Sequence, residues 1–266
     1  MTVLTIAGSD SGGGAGIQAD IKTISALGGF ATSAITAVTV QNTLGVSGIH
    51  DIPCPIVAQQ IEAVLSDFSV KAVKTGMINQ ADLITVIAAA MKKHRIENLV
   101  LDPVMVATSG DKLMQNTTIE KLKKELFPLA KIITPNLYEA GVLLNRKIVS
   151  IEEMKIAAKE LCTFGCQSAL IKGGHLDENE MTDVLYHVKE DRIYTYSAKK
   201  IQTKNLHGTG CTLSSAIAVF LAFGYSLSEA VQLGKDYITA AIDAGKDRNL
   251  GHGNSPVEHF YRLSER

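Results

Sequence analysis

Val3-Leu4-Thr5-Ile6-Ala7 runs straight into Gly8-Ser9-Asp10-Ser11-Gly12-Gly13-Gly14-Ala15-Gly16, after which Ile17, Ile21, Ile24 and Leu27 return at helical spacing. A buried strand, a glycine-rich turn and an amphipathic helix are written in these 27 residues. The same beat continues down the chain. Residues 31–40 read as a strand and Val57, Ile61, Val64, Leu65 and Phe68 as a helical stripe, followed by the strand Ala72–Thr75 and the helix Ala81–Met91. Asn98–Leu101 is a strand halted by Asp102-Pro103, and Ile119–Leu126 a helix before the strand Lys131–Thr134, which stops at Pro135. Helices over Tyr138–Leu144 and Ile151–Phe164 precede the strand Ala169–Lys172. Val184–Val188 and Arg192–Tyr196 flank Lys189-Glu190-Asp191 and predict an antiparallel hairpin. Two long helices follow, Thr209–Phe223 and Ser226–Ala244.

Strands alternating with helices predict an α/β fold, a mostly parallel sheet covered on both faces. No linker, repeat or low-complexity stretch divides it, so residues 1–266 are expected to form a single domain. Asp177–Thr182 is the expected mobile insertion. Ligands of such sheets sit beyond the carboxyl ends of the strands. That directs attention to Gly8–Gly16, Gln41–Thr43, Thr75–Met77, Asp102–Gly110, Asn136–Glu139, Lys172–His175 and His207–Cys211.

Composition excludes several classes. Lys and Arg number 26 against 27 Asp and Glu, a formal net charge of −1, which rules out a basic nucleic-acid face and an acidic tail. Apolar residues at 46% offset the ordering entropy and exclude disorder. Residues 23–50 and 205–228 carry no charged side chain, yet neither reads as a membrane span. The first is crowded with Thr, Ser and Gly; the second is apolar only from about Leu213 to Tyr225 and is broken by Gly224. Without a signal peptide or a span, a cytoplasmic protein is expected. Cys162 and Cys166 share a helical face but complete no zinc pattern, and they read as reduced buried thiols.

Four groups of residues carry possible chemistry. The first glycine loop has neither the Lys-Ser/Thr of a Walker A loop nor a glycine at the sixth position of a dinucleotide fingerprint, where Ile17 stands. It remains a loop whose backbone approaches a ligand closely, or a tight turn alone. His207-Gly208-Thr209-Gly210-Cys211 opens an apolar helix, where free N–H groups and the helix dipole favour an anion. Cys211 there reads equally as a stabilised thiolate or as an ordinary buried cysteine. Asp102 and Asn136-x-x-Glu139 follow strands and offer the hard oxygens that Mg²⁺ takes, although Asn136 and Glu139 also spell a helix cap. Lys172 ends an apolar strand and reads as a phosphate partner or a solvated strand end.

Together these segments resemble a known family. Thr5 through Asp20, Thr39-Val40-Gln41-Asn42-Thr43, Lys74-Thr75-Gly76-Met77, Asp102-Pro103-Val104-Met105 and His207 through Cys211 are similar to the hydroxymethylpyrimidine/phosphomethylpyrimidine kinases of thiamine biosynthesis, members of the ribokinase-like superfamily. The resemblance implies a ribokinase-like three-layer α/β/α sandwich, a mostly parallel central sheet with a small antiparallel hairpin. It also implies ATP-dependent phosphorylation of 4-amino-5-hydroxymethyl-2-methylpyrimidine and then of its monophosphate. On this mapping Gly8, Asp20, Gln41, Met77 and Val104 surround the pyrimidine, with Gln41 meeting the aminopyrimidine edge. Asp102 and Glu139 take Mg²⁺, with Asn136 nearby; Lys172 and Thr209 bind ATP phosphates. The backbone of Gly208, Thr209, Gly210 and Cys211 forms the anion hole, and a Cys211 thiolate takes the alcohol proton or the group only positions the alcohol. Adenine contacts are expected near residues 195–205 and 236–245. Gly251-His252-Gly253 matches the family's ending, with Asn254-Ser255 departing from its usual order, and no fused synthase is expected. A homodimer is expected, binding small molecules and neither nucleic acid nor membrane. A pyridoxal kinase is the neighbouring alternative; a repair enzyme of the same fold and a non-catalytic pyrimidine or nucleotide sensor are more distant ones.

Overall fold

The computed structural model describes residues 1–105, 114–174 and 179–263. Residues 106–110 of the Asp102 loop, together with His175, Asp177 and Glu178, lie outside the described residues. The strands are β1 (Thr2–Asp10), β2 (Phe30–Asn42), β3 (Gly45–Asp51), β4 (Val70–Thr75), β5 (Leu99–Leu101), β6 (Ile132–Ile133), β7 (Ser168–Ile171), β8 (Glu180–His187) and β9 (Arg192–Lys199). The helices are α1 (Gly16–Ala26), α2 (Cys54–Asp67), α3 (Ala81–Lys93), α4 (Asn116–Glu125), α5 (Leu137–Leu144), α6 (Ile151–Cys162), α7 (Thr209–Ala222) and α8 (Leu227–Gly245).

All nine strands join one sheet in the order β3-β2-β1-β4-β5-β6-β7-β8-β9. The six from β2 to β7 run parallel. Antiparallel pairing is confined to the two ends, β3 on β2 at one and the β8–β9 hairpin at the other. Alternate residues of the central strands feed two separate cores. Leu4, Ile6, Val73, Leu99, Leu101 and Ile133 pack under α2 to α6. Val3, Ala72, Val100 and Ile132 face the other way, under α1, α7 and α8. Burial on both faces is why these strands read as continuous apolar runs instead of alternating ones.

Two expectations are corrected. β3 was absent from the sequence reading, because its residues Gly-Val-Ser-Gly-Ile-His-Asp are exposed or half-buried and bury no alternating face. Within the expected insertion, Glu180, Met181 and Thr182 belong to β8 and pair with Lys199, Ala198 and Ser197. These residues satisfy their backbone against β9 before β8 reaches β7, so no apolar alternation marks them in the sequence.

Candidate active site

A cavity of about 1220 Å³ opens at the carboxyl ends of the parallel strands. Twelve of the thirteen residues expected at the site line it; Asp20 does not. One end is apolar and small. Gly8 leaves room for Met77, whose Cε lies 2.6 Å from where a Cβ on residue 8 would stand. Met77 is buried and Val104 half-buried beside it. Gln41 is held at this end by its backbone and its side chain. Ser11 Oγ donates to the Gln41 carbonyl oxygen at 2.6 Å and accepts from the Gln41 N–H at 2.8 Å. Thr39 Oγ1 lies 3.0 Å from Gln41 Oε1 and 2.9 Å from the Ser9 carbonyl oxygen, sharing one hydrogen between them. Among the described residues Gln41 Nε2 has no hydrogen-bond partner, so the amide edge offers a donor and half an acceptor to a ring.

Across the cavity, α7 starts after Gly208, whose φ of 81° needs glycine. A Cβ there would also land on the Gly14 carbonyl oxygen, so the two glycine loops touch backbone to backbone. The first N–H groups of a helix lack intrahelical acceptors. The Leu206 carbonyl takes that of Thr209 at 3.3 Å, while Gly210 and Cys211 line the cavity. The backbone of Gly16, at the start of α1, favours the charged form of the Cys211 sulfur. Of the two readings of Cys211, its surroundings favour the protonated thiol. Burial, reinforced by the Asp20 and Asp102 carboxylates, outweighs Lys74 and pushes the Cys211 thiol up to about 11. At neutral pH the group is a thiol.

Lys172 stands next to this helix start. Its Nζ donates to Asp102 Oδ1 at 3.0 Å and lies 3.3 Å from where a Cβ on Gly210 would be. Burial opposes its charge, but Asp102 and Glu139 more than compensate and hold the ammonium above its usual range. Asp102 is buried and also accepts from Thr134 Oγ1 at 3.1 Å and Ser214 Oγ at 3.3 Å. Asn136 and Glu139 form a complete capping box on α5, as one of the two readings of that motif required. Capping does not exhaust Glu139. Its carboxyl is buried beside Asp102, and burial together with that charge raises it to about 7 despite Lys172. Two carboxylates that repel each other at a cavity wall suit a hydrated Mg²⁺, which takes one or two protein oxygens and completes its shell with water and phosphates. No cluster of three ligating side chains occurs among the described residues, so an all-protein cage is not built here.

Asp20 is the expected site residue that the fold puts elsewhere. It is completely buried on the inner face of α1, with Lys74 Nζ at 2.8 and 2.9 Å, Ser215 Oγ at 2.7 Å and Thr5 Oγ1 at 2.6 Å. All its acceptor capacity is spent inside the protein, so it does not reach a ring. Its sequence signal was position, since 17, 20 and 24 lie on one buried stripe of the helix. Lys74, its partner, was missed as a site residue although it lines the cavity; a lysine inside an apolar strand was the sign. Missed too were Asp183 and Lys235, a buried pair 2.7 Å apart on the far wall. Leu213, Ile238, Thr239 and Ile242 complete that wall, so the expected 236–245 region reaches the cavity, whereas no residue of 195–205 lines it.

Comparison with known proteins is consistent over nearly the whole chain. The phosphomethylpyrimidine kinase family model matches residues 10–258. The hydroxymethylpyrimidine/phosphomethylpyrimidine kinase of Rhizobium meliloti (strain 1021) is 48% identical over 260 residues, 97% of each chain. The solved phosphomethylpyrimidine kinase from Clostridium difficile 630 is 45% identical with a TM-score of 0.80, covering 91% of this chain and 99% of that one. A pyridoxal kinase from Staphylococcus aureus, solved in complex with AMP-PCP and pyridoxal, is 34% identical with a TM-score of 0.89, covering 98% and 94%.

Proposed function

The chain belongs to the phosphomethylpyrimidine kinase family, with its ribokinase-like α/β fold, and from that premise we propose how its cavity works as a kinase of thiamine biosynthesis. Phosphoryl passes from ATP to the hydroxymethyl group of 4-amino-5-hydroxymethyl-2-methylpyrimidine, and a second transfer to the monophosphate gives the diphosphate. The observation that carries this reading is the span of one cavity, with Gln41, Gly8, Met77 and Val104 at one end and the start of α7 with Lys172 at the other. An aminopyrimidine presents a donor and an acceptor on one edge, which the Gln41 amide meets. Gly210 and Cys211 at the start of α7 offer N–H groups to the transferring phosphate, Lys172 adds a point charge, and Thr209 and Asn136 stand beside the ATP phosphates. Phosphoryl transfer depends on such positioning and charge stabilisation more than on covalent chemistry. Asp102 and Glu139 would hold Mg²⁺, which neutralises phosphate charge when bound. The wall of Leu213, Ile238, Thr239 and Ile242 suits an adenine ring, with the Asp183–Lys235 pair at its edge. Cys211 stands at the alcohol, as the base through its thiolate form or as a positioning group in its thiol form.

The decisive measurement is ADP release that requires both Mg²⁺ and the pyrimidine alcohol. Absence of ADP with any ring alcohol would favour the sensor reading. The likeness to the pyridoxal-bound kinase makes pyridoxal the second acceptor to try, and steady-state rates with the two alcohols decide between them. The one continuous sheet supports reading 1–266 as a single kinase domain. Among the described residues no helix is long and apolar enough to cross a membrane, and four free thiols suit the cytoplasm. A homodimer is part of the same reading; Val38, Val40, Leu44 and Ile49 expose apolar surface at the β2–β3 end that a second copy would cover.

A further inference from the structure

Asp10 and His207 lie 197 positions apart in sequence, each within a glycine motif that the assignment above leaves without a role for them. Both are buried, and His207 Nε2 lies 2.9 Å from Asp10 Oδ2. We propose that this pair is a positioning device for the phosphoryl transfer, holding the loop around the acceptor alcohol and the loop around the transferring phosphate at one separation. The proposal rests on the kinase reading of the cavity.

Asp10 organises the first loop by itself. Its Oδ1 accepts the Gly12 N–H at 2.8 Å, and its Oδ2 accepts those of Gly14 at 3.0 Å and Ala15 at 2.8 Å. Three backbone donors and an imidazole converge on one carboxylate, which only an ionised acceptor-only group satisfies. Burial works against that charge, but the His207 contact and the Ala15 and Gly12 N–H groups hold the Asp10 carboxyl below its usual range. The proton of the shared bond therefore belongs to His207 Nε2.

The loop so shaped reaches both ends of the cavity. Ser11, an exposed residue within the Asp10 turn, carries the paired hydrogen bonds that hold the Gln41 backbone. On the other side, Gly14 presses on His207 and Gly208. A Cβ on residue 14 would strike the His207 ring, and one on residue 208 would strike the Gly14 carbonyl. His207 is the residue immediately before the α7 cap, and Pro256 pairs with it by a parallel bridge from behind. A single carboxylate thus connects Gln41 to the start of α7, through hydrogen bonds on one side and close packing of Gly14 on the other. Displacing reacting groups by about 1 Å costs on the order of a hundredfold in rate.

Three variants test this: His207→Ala, His207→Gln and Asp10→Asn. Each is assayed for kcat, for KM of the alcohol and of ATP, for thermal unfolding, and for amide exchange at residues 12–16 and 208–212. His207→Ala and Asp10→Asn are expected to lower kcat about 100-fold, with faster exchange in both segments together. His207→Gln, whose amide N–H still reaches a carboxylate, is expected to recover kcat to within about threefold of wild type. Asparagine at 10 has only one accepting oxygen for four donors, so it should not be rescued by that change. Equal loss of kcat in His207→Gln and His207→Ala overturns the proposal, as does unchanged kcat per folded molecule in all three. If wild type itself releases no ADP with a ring alcohol, the kinase reading fails separately and exchange decides. Loosening of both segments in His207→Ala then upholds the connection between the loops, and loosening of one alone refutes it.

Discussion

A thiol at about 11 makes Cys211 a poor proton acceptor at neutral pH, and this turns its role into a measurable slope. Below its pKa the thiolate fraction rises tenfold per pH unit. If Cys211 is the base, log kcat should climb with pH through the neutral range toward 11; if it only positions the alcohol, that limb is missing and Cys211→Ala keeps near-normal single-turnover chemistry. Glu139 offers the opposite sign. Its folded pKa is raised from 4.5 to about 7, so its ionised form costs stability, increasingly from pH 4.5 to 7 and fully above. Glu139→Gln should therefore raise Tm at pH 8 and leave it unchanged at pH 4.5, by about 2–4 °C per kcal/mol relieved, while kcat falls. At Gly8 an added methyl meets the flexible tip of Met77 and not backbone. Gly8→Ala should push Met77 into the pyrimidine end, raising the alcohol KM about tenfold, equivalent to about 1.4 kcal/mol, with the ATP KM unchanged. These residues were legible one by one in the sequence as candidates. Their protonation states were not, because desolvation depends on neighbours from distant parts of the chain.

Helix α7 shows how an element serves two ends. Its interior is almost wholly buried, which explains the apolar, charge-free run of sequence. Its start is polar by geometry, not by side chain, since the converging groups are backbone N–H. Gly208→Ala places a methyl on the Gly14 carbonyl at a φ of 81° and should abolish both ADP binding and turnover, as calorimetry and the coupled assay would show. The C-terminal glycine-histidine ending, which carried no role in the sequence, packs on the turn that follows Gln41. The Gly253 N–H donates to Thr43 Oγ1 at 3.1 Å, and the Asn254 N–H to the Thr43 carbonyl oxygen at 2.9 Å. A tail that closes against the other end of the chain has no local pattern to betray it.

At the scale of the whole molecule, the Asp20–Lys74 pair joins α1, β1, β4 and α7 in the layer beneath the cavity. Removing one member leaves an uncompensated buried charge, so Lys74→Met alone should cost about 3–5 kcal/mol in denaturant unfolding, and Lys74→Met with Asp20→Asn distinctly less. Light scattering on the intact protein tests the homodimer; a monomer at micromolar concentration would refute it.

The near-neutral charge fits this arrangement. On the proposed reading, strongly anionic substrates would meet the start of α7 and Lys172, so no broad basic surface is required. The sequence by itself determined the layered α/β architecture, the strand ends at which ligands gather, and the glycine and lysine motifs placed there, because hydrophobic period and turn chemistry are local properties. Only the tertiary structure decided that Asp20 faces inward to Lys74, that Glu139 caps a helix while lining the cavity, that β3 extends the sheet, and that Asp10 meets His207. Those outcomes depend on which buried polar groups become neighbours, and a buried charge takes whatever partner the fold brings within reach.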